Sequence, residues 1–171
     1  LAVYPMVAKR MNRRQLYTLG TVLVLIGYAI FFFAEFSIVL IALGAVLVFV
    51  GQAFIQTLML MFLADTVEYG HWKLGKRNES ITFSIQPLIN KIGGALATGI
   101  VSLTLIFSGI KVDGGTADFI TSEGKLIVKL AMFVAPLLMI IAGYIVYLKK
   151  YKISEEYYAE ILQDLEQREK A

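Results

Sequence analysis

The chain has 171 residues, of which 58% are hydrophobic and 17% are charged, and it contains no cysteine. Soluble domains are about half apolar and about a quarter charged, so this composition favours a membrane protein. The lack of cysteine excludes disulfides and thiolate metal sites. The formal charge of +3 is too small to favour nucleic-acid binding, and a single histidine, His71, argues against a metal site.

Four apolar runs are each long enough to cross a bilayer, which takes about 20 mostly apolar residues. They cover residues 16–34, 37–63, 80–110 and 126–148, and residues 1–8 resemble the end of a preceding span. These runs predict an all-α membrane protein with four complete transmembrane helices. The chain begins at Leu1 without a signal-peptide pattern, so we expect a fragment of a longer protein.

Basic residues predict the orientation, because Lys and Arg accumulate on the cytoplasmic side of a membrane. The four predicted spans place three regions on one side, and these regions hold the basic clusters Lys9–Arg14, Lys73–Arg77 and Lys149–Lys152. The opposite side receives a hairpin at Glu35–Phe36 and the loop Lys111–Lys125. We therefore expect a cytoplasmic C-terminus.

The last residues differ from the spans, and we divide the chain into a transmembrane region, 1–150, and a tail, 151–171. Apolar residues recur there at helical spacing, at Ile153, Tyr157, Ile161 and Leu165, while the opposite face is rich in Glu and Gln. This pattern predicts an amphipathic helix docked on the cytoplasmic surface or on its own protein.

Lys91 lies inside the third apolar run, where a charged side chain is costly. Helical geometry places Ser80, Ser84, Pro87, Lys91, Gly94 and Thr98 on one face, with Gln86 and Asn90 beside them. Two interpretations stay open on this evidence. Lys91 either lines a polar cavity or reaches into the headgroups from a span that begins at Ile92.

The second span carries the amides Gln52 and Gln56 one turn apart, with Thr57 beside them. Amides in hydrocarbon need partners. These two either bind a hydroxyl-rich solute or join neighbouring helices.

The polar segment between the second and third spans alternates acidic and basic residues. It holds Asp65, Glu68, Lys73, Lys76, Arg77 and Glu79. Such a network is either a gate that locks helix ends together or a solvated charged loop. The chain shows no nucleophile elbow, no HExxH and no phosphate-binding glycine loop, so we do not expect an enzyme.

The sequence DTVEYGHWKLGKRNES, followed by NKIGGAL, resembles the glycoside–pentoside–hexuronide:cation symporters of the major facilitator superfamily. The opening PMVAKRMNRRQLYTLG and the tail YKISEEYYAEILQDLEQR are also similar to that family. The residues that fit its central motif are Asp65, Tyr69, Gly70, Trp72, Lys73, Gly75, Lys76, Arg77, Ser84, Gln86, Lys91, Gly93, Ala95 and Leu96.

The resemblance implies the C-terminal part of a twelve-helix symporter in a bacterial plasma membrane, working by alternating access. Gln56, Gln86, Asn90 and Lys91 would face a sugar near the midplane. The coupling cation (Na⁺, Li⁺ or H⁺) would bind in the absent N-terminal half, with no other cofactor. The cytoplasmic gate would comprise Asp65, Glu68, Tyr69, Lys73, Lys76 and Arg77.

Three positions depart from the family pattern. Glu68 stands where Asp is usual, His71 replaces a common Glu, and Gln56 occupies a position where some relatives carry an aromatic ring. The last departure puts a galactoside substrate in doubt. Two other functions stay open: a non-transporting four-span scaffold, and a carrier of lipid-like solutes on the same fold.

Overall fold

A computed structural model describes residues 11–34, 37–109 and 122–170. Every regular element in these ranges is helical. The elements are α1 (Arg13–Phe33), α2 (Ile38–Leu74), α3 (Glu79–Ser108), α4 (Ser122–Lys129), a π-helical turn (Leu130–Val134), α5 (Ala135–Lys150) and α6 (Glu155–Lys170). The expected preceding span at residues 1–8, the hairpin at 35–36 and the loop up to residue 121 lie outside the described residues.

Four helical stretches in the described ranges are long and apolar enough to cross a membrane: Arg13–Phe33, Ile38–Leu74, Glu79–Ser108 and Ser122–Lys150. The most apolar window of the first is 28% buried, and that of the last is 0% buried. Apolar helices that bury so little against each other need lipid or further helices around them. The predicted all-α membrane class is confirmed.

Helices α1 and α2 form an antiparallel pair, and each helix contributes two glycines to the contact between them. A Cβ on Gly51 would lie 2.5 Å from the carbonyl oxygen of Gly20, and one on Gly27 would lie 2.9 Å from that of Gly44. The two glycines on each helix are seven residues apart, which is two turns, so they share a face. Small residues let helix backbones approach closely in a membrane.

Helix α2 continues well past the apolar run that ends at residue 63. It ends at Leu74, where Gly75 adopts a left-handed φ of 66° and donates its N–H to the carbonyl of His71. The last turn carries Lys73, which suits the negative end of the helix dipole. At 37 residues, α2 is about 55 Å long. The polar segment expected as either a gate or a solvated loop is therefore largely a helical extension beyond the membrane-spanning length.

Proline affects the last two spans differently. Pro87 lies inside α3, and the helix continues through it. Before Pro136 the chain forms the π-helical turn, in which the N–H of Ala135 donates to the carbonyl of Leu130, five residues back. Proline has no N–H to donate, and the hydrogen bond across five residues accommodates this loss. The π-helical turn thereby joins α4 and α5 into one span.

We expect Gly51→Ala to destabilise the protein by about 1–3 kcal/mol, because the added methyl group forces the α1 backbone away. The matched control is Gly143→Ala in α5, where an added Cβ meets nothing within 4 Å. That change should be neutral or slightly stabilising, because alanine is the better helix former. Thermal unfolding of the detergent-solubilised protein measures both. Equal midpoints for the two variants would contradict the close crossing.

Candidate functional site

The carboxylate of Asp65, near the end of α2, is buried, with 4% of the residue exposed. Nη1 of Arg13, the first residue of α1, donates to both of its oxygens, at 2.8 Å to Oδ1 and 2.6 Å to Oδ2. The hydroxyl of Tyr151 donates to Oδ2 at 3.1 Å. A buried carboxylate is tolerated only when it is paired and hydrogen-bonded. We call Arg13, Asp65 and Tyr151 the Asp65 cluster.

Arg13 also binds the start of the tail helix. Its backbone N–H, free because it opens α1, donates to Oε1 of Glu155 at 2.8 Å. Its Nε lies 3.8 Å from the same oxygen, and its guanidinium lies 5.5 Å from the ring centroid of Tyr158. One cation thus connects α1, α2 and α6.

Aromatic rings support the cluster from the membrane side. Phe62 lies one turn before Asp65, and its ring centroid is 4.6 Å from that of Tyr151 and 5.3 Å from that of Tyr147. The ring of Tyr17 on α1 contacts Tyr147 at 4.3 Å. Tyr151 also stacks on Tyr147, with ring centroids 5.3 Å apart, and these ring contacts hold Tyr151 with its hydroxyl on the carboxylate.

The charges that follow Asp65 form a second network at the turn between α2 and α3. Arg77 pairs with Glu68 at 2.9 Å and with Glu79 at 3.4 Å. Arg77 and Glu79 are more than half exposed, so these pairs are worth at most about 1 kcal/mol each. Lys73 donates to the hydroxyl of Tyr69 at 3.4 Å. Lys76 is exposed. The structure thus joins Arg77 to Glu68, whereas Asp65 pairs with Arg13 instead.

The tail helix α6 docks on the extension of α2. Ile161 and Leu165 are buried there, with 1% and 8% exposed. The indole N–H of Trp72 donates to Oδ2 of Asp164, and Nη1 of Arg168 donates to the carbonyl of Trp72 at 3.2 Å. The hydrogen bond from Trp72 lowers the pKa of Asp164, and Arg168 lowers it further. The predicted amphipathic helix therefore lies against its own protein.

Tyr158 on α6 lies between the two charge networks. Burial raises the pKa of its hydroxyl, and Asp65 and Glu68 raise it further, while Arg13 and Arg77 act in the opposite direction. Burial likewise raises the pKa of Tyr151, with Asp65 as the next cause. Both hydroxyls therefore stay protonated at neutral pH, and Tyr151 remains a donor to Asp65.

The predicted sugar-binding residues lie apart from this end. Gln56 is exposed on α2, Gln86 is half-buried on α3, and Asn90 and Lys91 are exposed on α3. No side chain of the four makes a hydrogen bond or ion pair to another residue in the described ranges. Their role in binding stays a prediction.

Sequence reasoning missed Arg13, Tyr151, Glu155 and the Trp72–Asp164 contact. Arg13 counted there only as an orientation signal. Asp65 pairs with Arg13 across 52 positions and with Tyr151 across 86 positions. No periodicity covers such separations, and the one usable signal was the basic residue at the start of a helix that must pack beside Asp65.

The helices define a class of protein: a multi-pass helical membrane protein whose helix ends are tied by a buried ion pair. Residues 1–155 match the model of the family described as MFS/sugar transport protein. The chain belongs to this family, which confirms its resemblance to the glycoside–pentoside–hexuronide:cation symporters of the major facilitator superfamily.

Individual relatives match almost the whole chain. The lactose permease of Lactobacillus delbrueckii subsp. bulgaricus is 38% identical over 163 residues, which are 95% of this chain and 26% of the permease. The raffinose carrier protein of Pediococcus pentosaceus is 38% identical over 165 residues, 96% of this chain and 26% of the carrier. A putative sulfoquinovose importer of Escherichia coli (strain K12) is 26% identical over 164 residues, 96% of this chain and 34% of the importer. The chain spans 26% to 34% of the length of these curated relatives.

We expect Arg13→Gln to destabilise the protein by about 2–4 kcal/mol. Removing one partner of a fully buried pair costs about 3–5 kcal/mol, and the Arg13 side chain is 26% exposed, which reduces the loss. Arg14→Gln is the matched control, because Arg14 is exposed beside it. Chemical denaturation in detergent measures both variants. A loss for Arg13→Gln no larger than that of the control would show that Asp65 does not depend on Arg13.

Proposed function

We propose that this chain is the C-terminal part of a cation-coupled sugar symporter that works by alternating access. Support comes from the family membership and from relatives whose names specify lactose, raffinose and sulfoquinovose. We place the protein in a bacterial plasma membrane with the Asp65 cluster and the tail on the cytoplasmic side, following the basic residues.

The observation that carries the proposal is a lysine in the middle of a long apolar helix, with no side-chain partner among the residues that the structure describes. Helix α3 has 30 residues and is about 45 Å long, and Lys91 lies about 18 Å from its first residue and about 26 Å from its last. The hydrocarbon core is about 30 Å thick. A cavity-lining Lys91 requires α3 to cross the core with Lys91 near the midplane, and this depth is part of the proposal.

The neighbouring polar groups differ in what they can offer a ligand. The hydroxyls of Ser84 and Thr98 donate back to their own helix, to the carbonyls of Ile81 at 2.8 Å and Gly94 at 2.9 Å. The amides of Gln86 and Asn90 have no partner in the described ranges. Free amides both donate and accept, which suits the hydroxyl groups of a sugar.

Each predicted group then has a task. Gln56, Gln86 and Asn90 hold the sugar by hydrogen bonds, and Lys91 pairs with acidic groups of the N-terminal half, where the coupling cation binds. No organic cofactor and no catalytic step are required. The Asp65 cluster and the Arg77–Glu68 pair act as the cytoplasmic gate, because ion pairs between helix ends are made in one state and broken in the other.

Lys91→Ala in the complete protein should reduce sugar uptake by at least tenfold, because a midplane charge pair worth more than about 1.4 kcal/mol is lost. The amount of protein in the membrane should stay unchanged. Lys125→Ala is the control, since Lys125 is exposed near the start of α4. Uptake of radiolabelled lactose, raffinose and a panel of pentosides measures the effect.

Normal uptake by Lys91→Ala would overturn the role of Lys91 in transport. A wild-type protein that carries none of the panel would favour a carrier of other solutes or a scaffold instead.

A further inference from the structure

The segment after α5 contacts the Arg13–Asp65 pair at three residues in succession. Tyr151 donates to Asp65. Glu155 accepts from the backbone of Arg13 and lies beside its guanidinium. Tyr158 places its ring against the same guanidinium. Glu155 and Tyr158 are three residues apart on α6, so the first turn of the helix presents both to the ion pair, and Tyr151 reaches the pair from the non-helical link before the helix.

Farther along, the hydrogen bonds that join α6 to another helix in the described residues go to α2. The contacts of Trp72 with Asp164 and Arg168, and the buried side chains of Ile161 and Leu165, all lie on the extension of α2. The tail therefore has two attachments. One is made to the extension of α2, and the other is made to Arg13 and Asp65 and depends on how α1 and α2 pack together. Only the second attachment changes when Arg13 leaves Asp65.

The link between the two attachments has room to move. Residues 151–154 are not helical, and they border a cavity of about 650 Å³ that Arg13, Asp65 and Glu155 also line. Movement of this link need not disturb the buried face of α6.

We propose that Tyr151 and Glu155 are positioning residues that couple the docking of the tail helix to the Arg13–Asp65 pair. The docked tail holds Arg13 on Asp65, and opening of the pair loosens the first turns of α6. Coupling of this kind is reciprocal, so whatever binds or displaces the tail shifts the pair by the same factor. The proposal rests on the transport function above, to which it adds regulation of the gate by the tail.

The charges around Arg13 give Glu155 and Tyr151 different effects on the Arg13–Asp65 pair. Arg13 is one cation facing two carboxylates, those of Asp65 and Glu155. Glu155 therefore helps to orient Arg13 but also competes for it. The Tyr151 hydroxyl then supplies Asp65 with a neutral donor that does not compete, and the hydroxyl remains in place only while the link keeps its position.

Hydrogen–deuterium exchange of peptides covering residues 155–170 in the complete, detergent-solubilised protein tests the coupling without sugar. Tyr151→Phe removes one hydroxyl and keeps the ring stack, and Glu155→Gln removes one charge. Each should speed exchange in the first turns of α6 roughly 2- to 10-fold, as expected for one hydrogen bond. Tyr147→Phe and Glu156→Gln are the matched controls and should exchange at the wild-type rate.

Reciprocity supplies a readout that a merely structural tail would not give. Asp65→Asn should speed exchange of the same peptides, and adding Tyr151→Phe to it should bring little further increase. In uptake assays, Tyr151→Phe should change the maximal rate and leave the half-saturating sugar concentration unaltered, because its hydroxyl donates to Asp65 and not to a proposed sugar-binding residue.

Wild-type exchange in both Tyr151→Phe and Glu155→Gln, or fully additive effects with Asp65→Asn, would overturn the coupling. Coupled exchange in a protein that carries no sugar would leave the coupling standing and refute the proposed function instead.

Discussion

The buried carboxylate of Asp65 is the group on which the arrangement of this end of the molecule depends. Its side chain is 5% exposed, and taking an ion out of water costs several kcal/mol even after relaxation. The cost is offset only when donors from α1 and from the residue after α5 arrive together. Three segments that are distant in sequence must therefore meet at one point, and each supports the position of the others.

The glycine crossing of α1 and α2 makes this meeting possible. Close approach at Gly20 and Gly51 brings the start of α1 against the flank of α2. Helix α2 continues to Leu74 beyond the start of α1, so its end projects and leaves a surface for α6. Packing inside the membrane and docking of the tail outside it are thus consequences of the same short interhelix distance.

The sequence predicts the spans well because hydrophobicity and length are local properties. The apolar runs, the tail with its face of Ile161 and Leu165, and the importance of the DTVEYG segment all follow from residues close together in the chain. The extension of α2 was not foreseen, because charged residues were taken to end the helix with the membrane span. The charged residues do not end this helix. It ends where Gly75 adopts a positive φ, which interrupts the helical backbone.

The ion-pair partner of Asp65 was harder to predict from the sequence than the helices were. Four charged residues follow Asp65 within a dozen positions, three of them basic, and local charge alternation favoured pairing among them. The carboxylate pairs with Arg13 instead, because Lys73 lies farther along α2 and Lys76 and Arg77 lie in the turn after it, while the start of α1 packs beside Asp65. The tertiary structure decides which helix packs beside Asp65, and residue spacing in the sequence does not predict it.

Asp65 and Lys91 show two ways of holding a charge in an apolar protein. Asp65 finds its partners inside the chain, and its position is fixed by them. Lys91 is exposed on α3 with no partner in the described ranges, in a helix whose buried residues there are confined to its far end, at Thr104 and Ser108. In the proposed transporter, the first charge stabilises the junction of helices within this part of the protein. The free energy of the Lys91 charge depends on the part of the protein that packs against α3, and therefore on the state of the transport cycle.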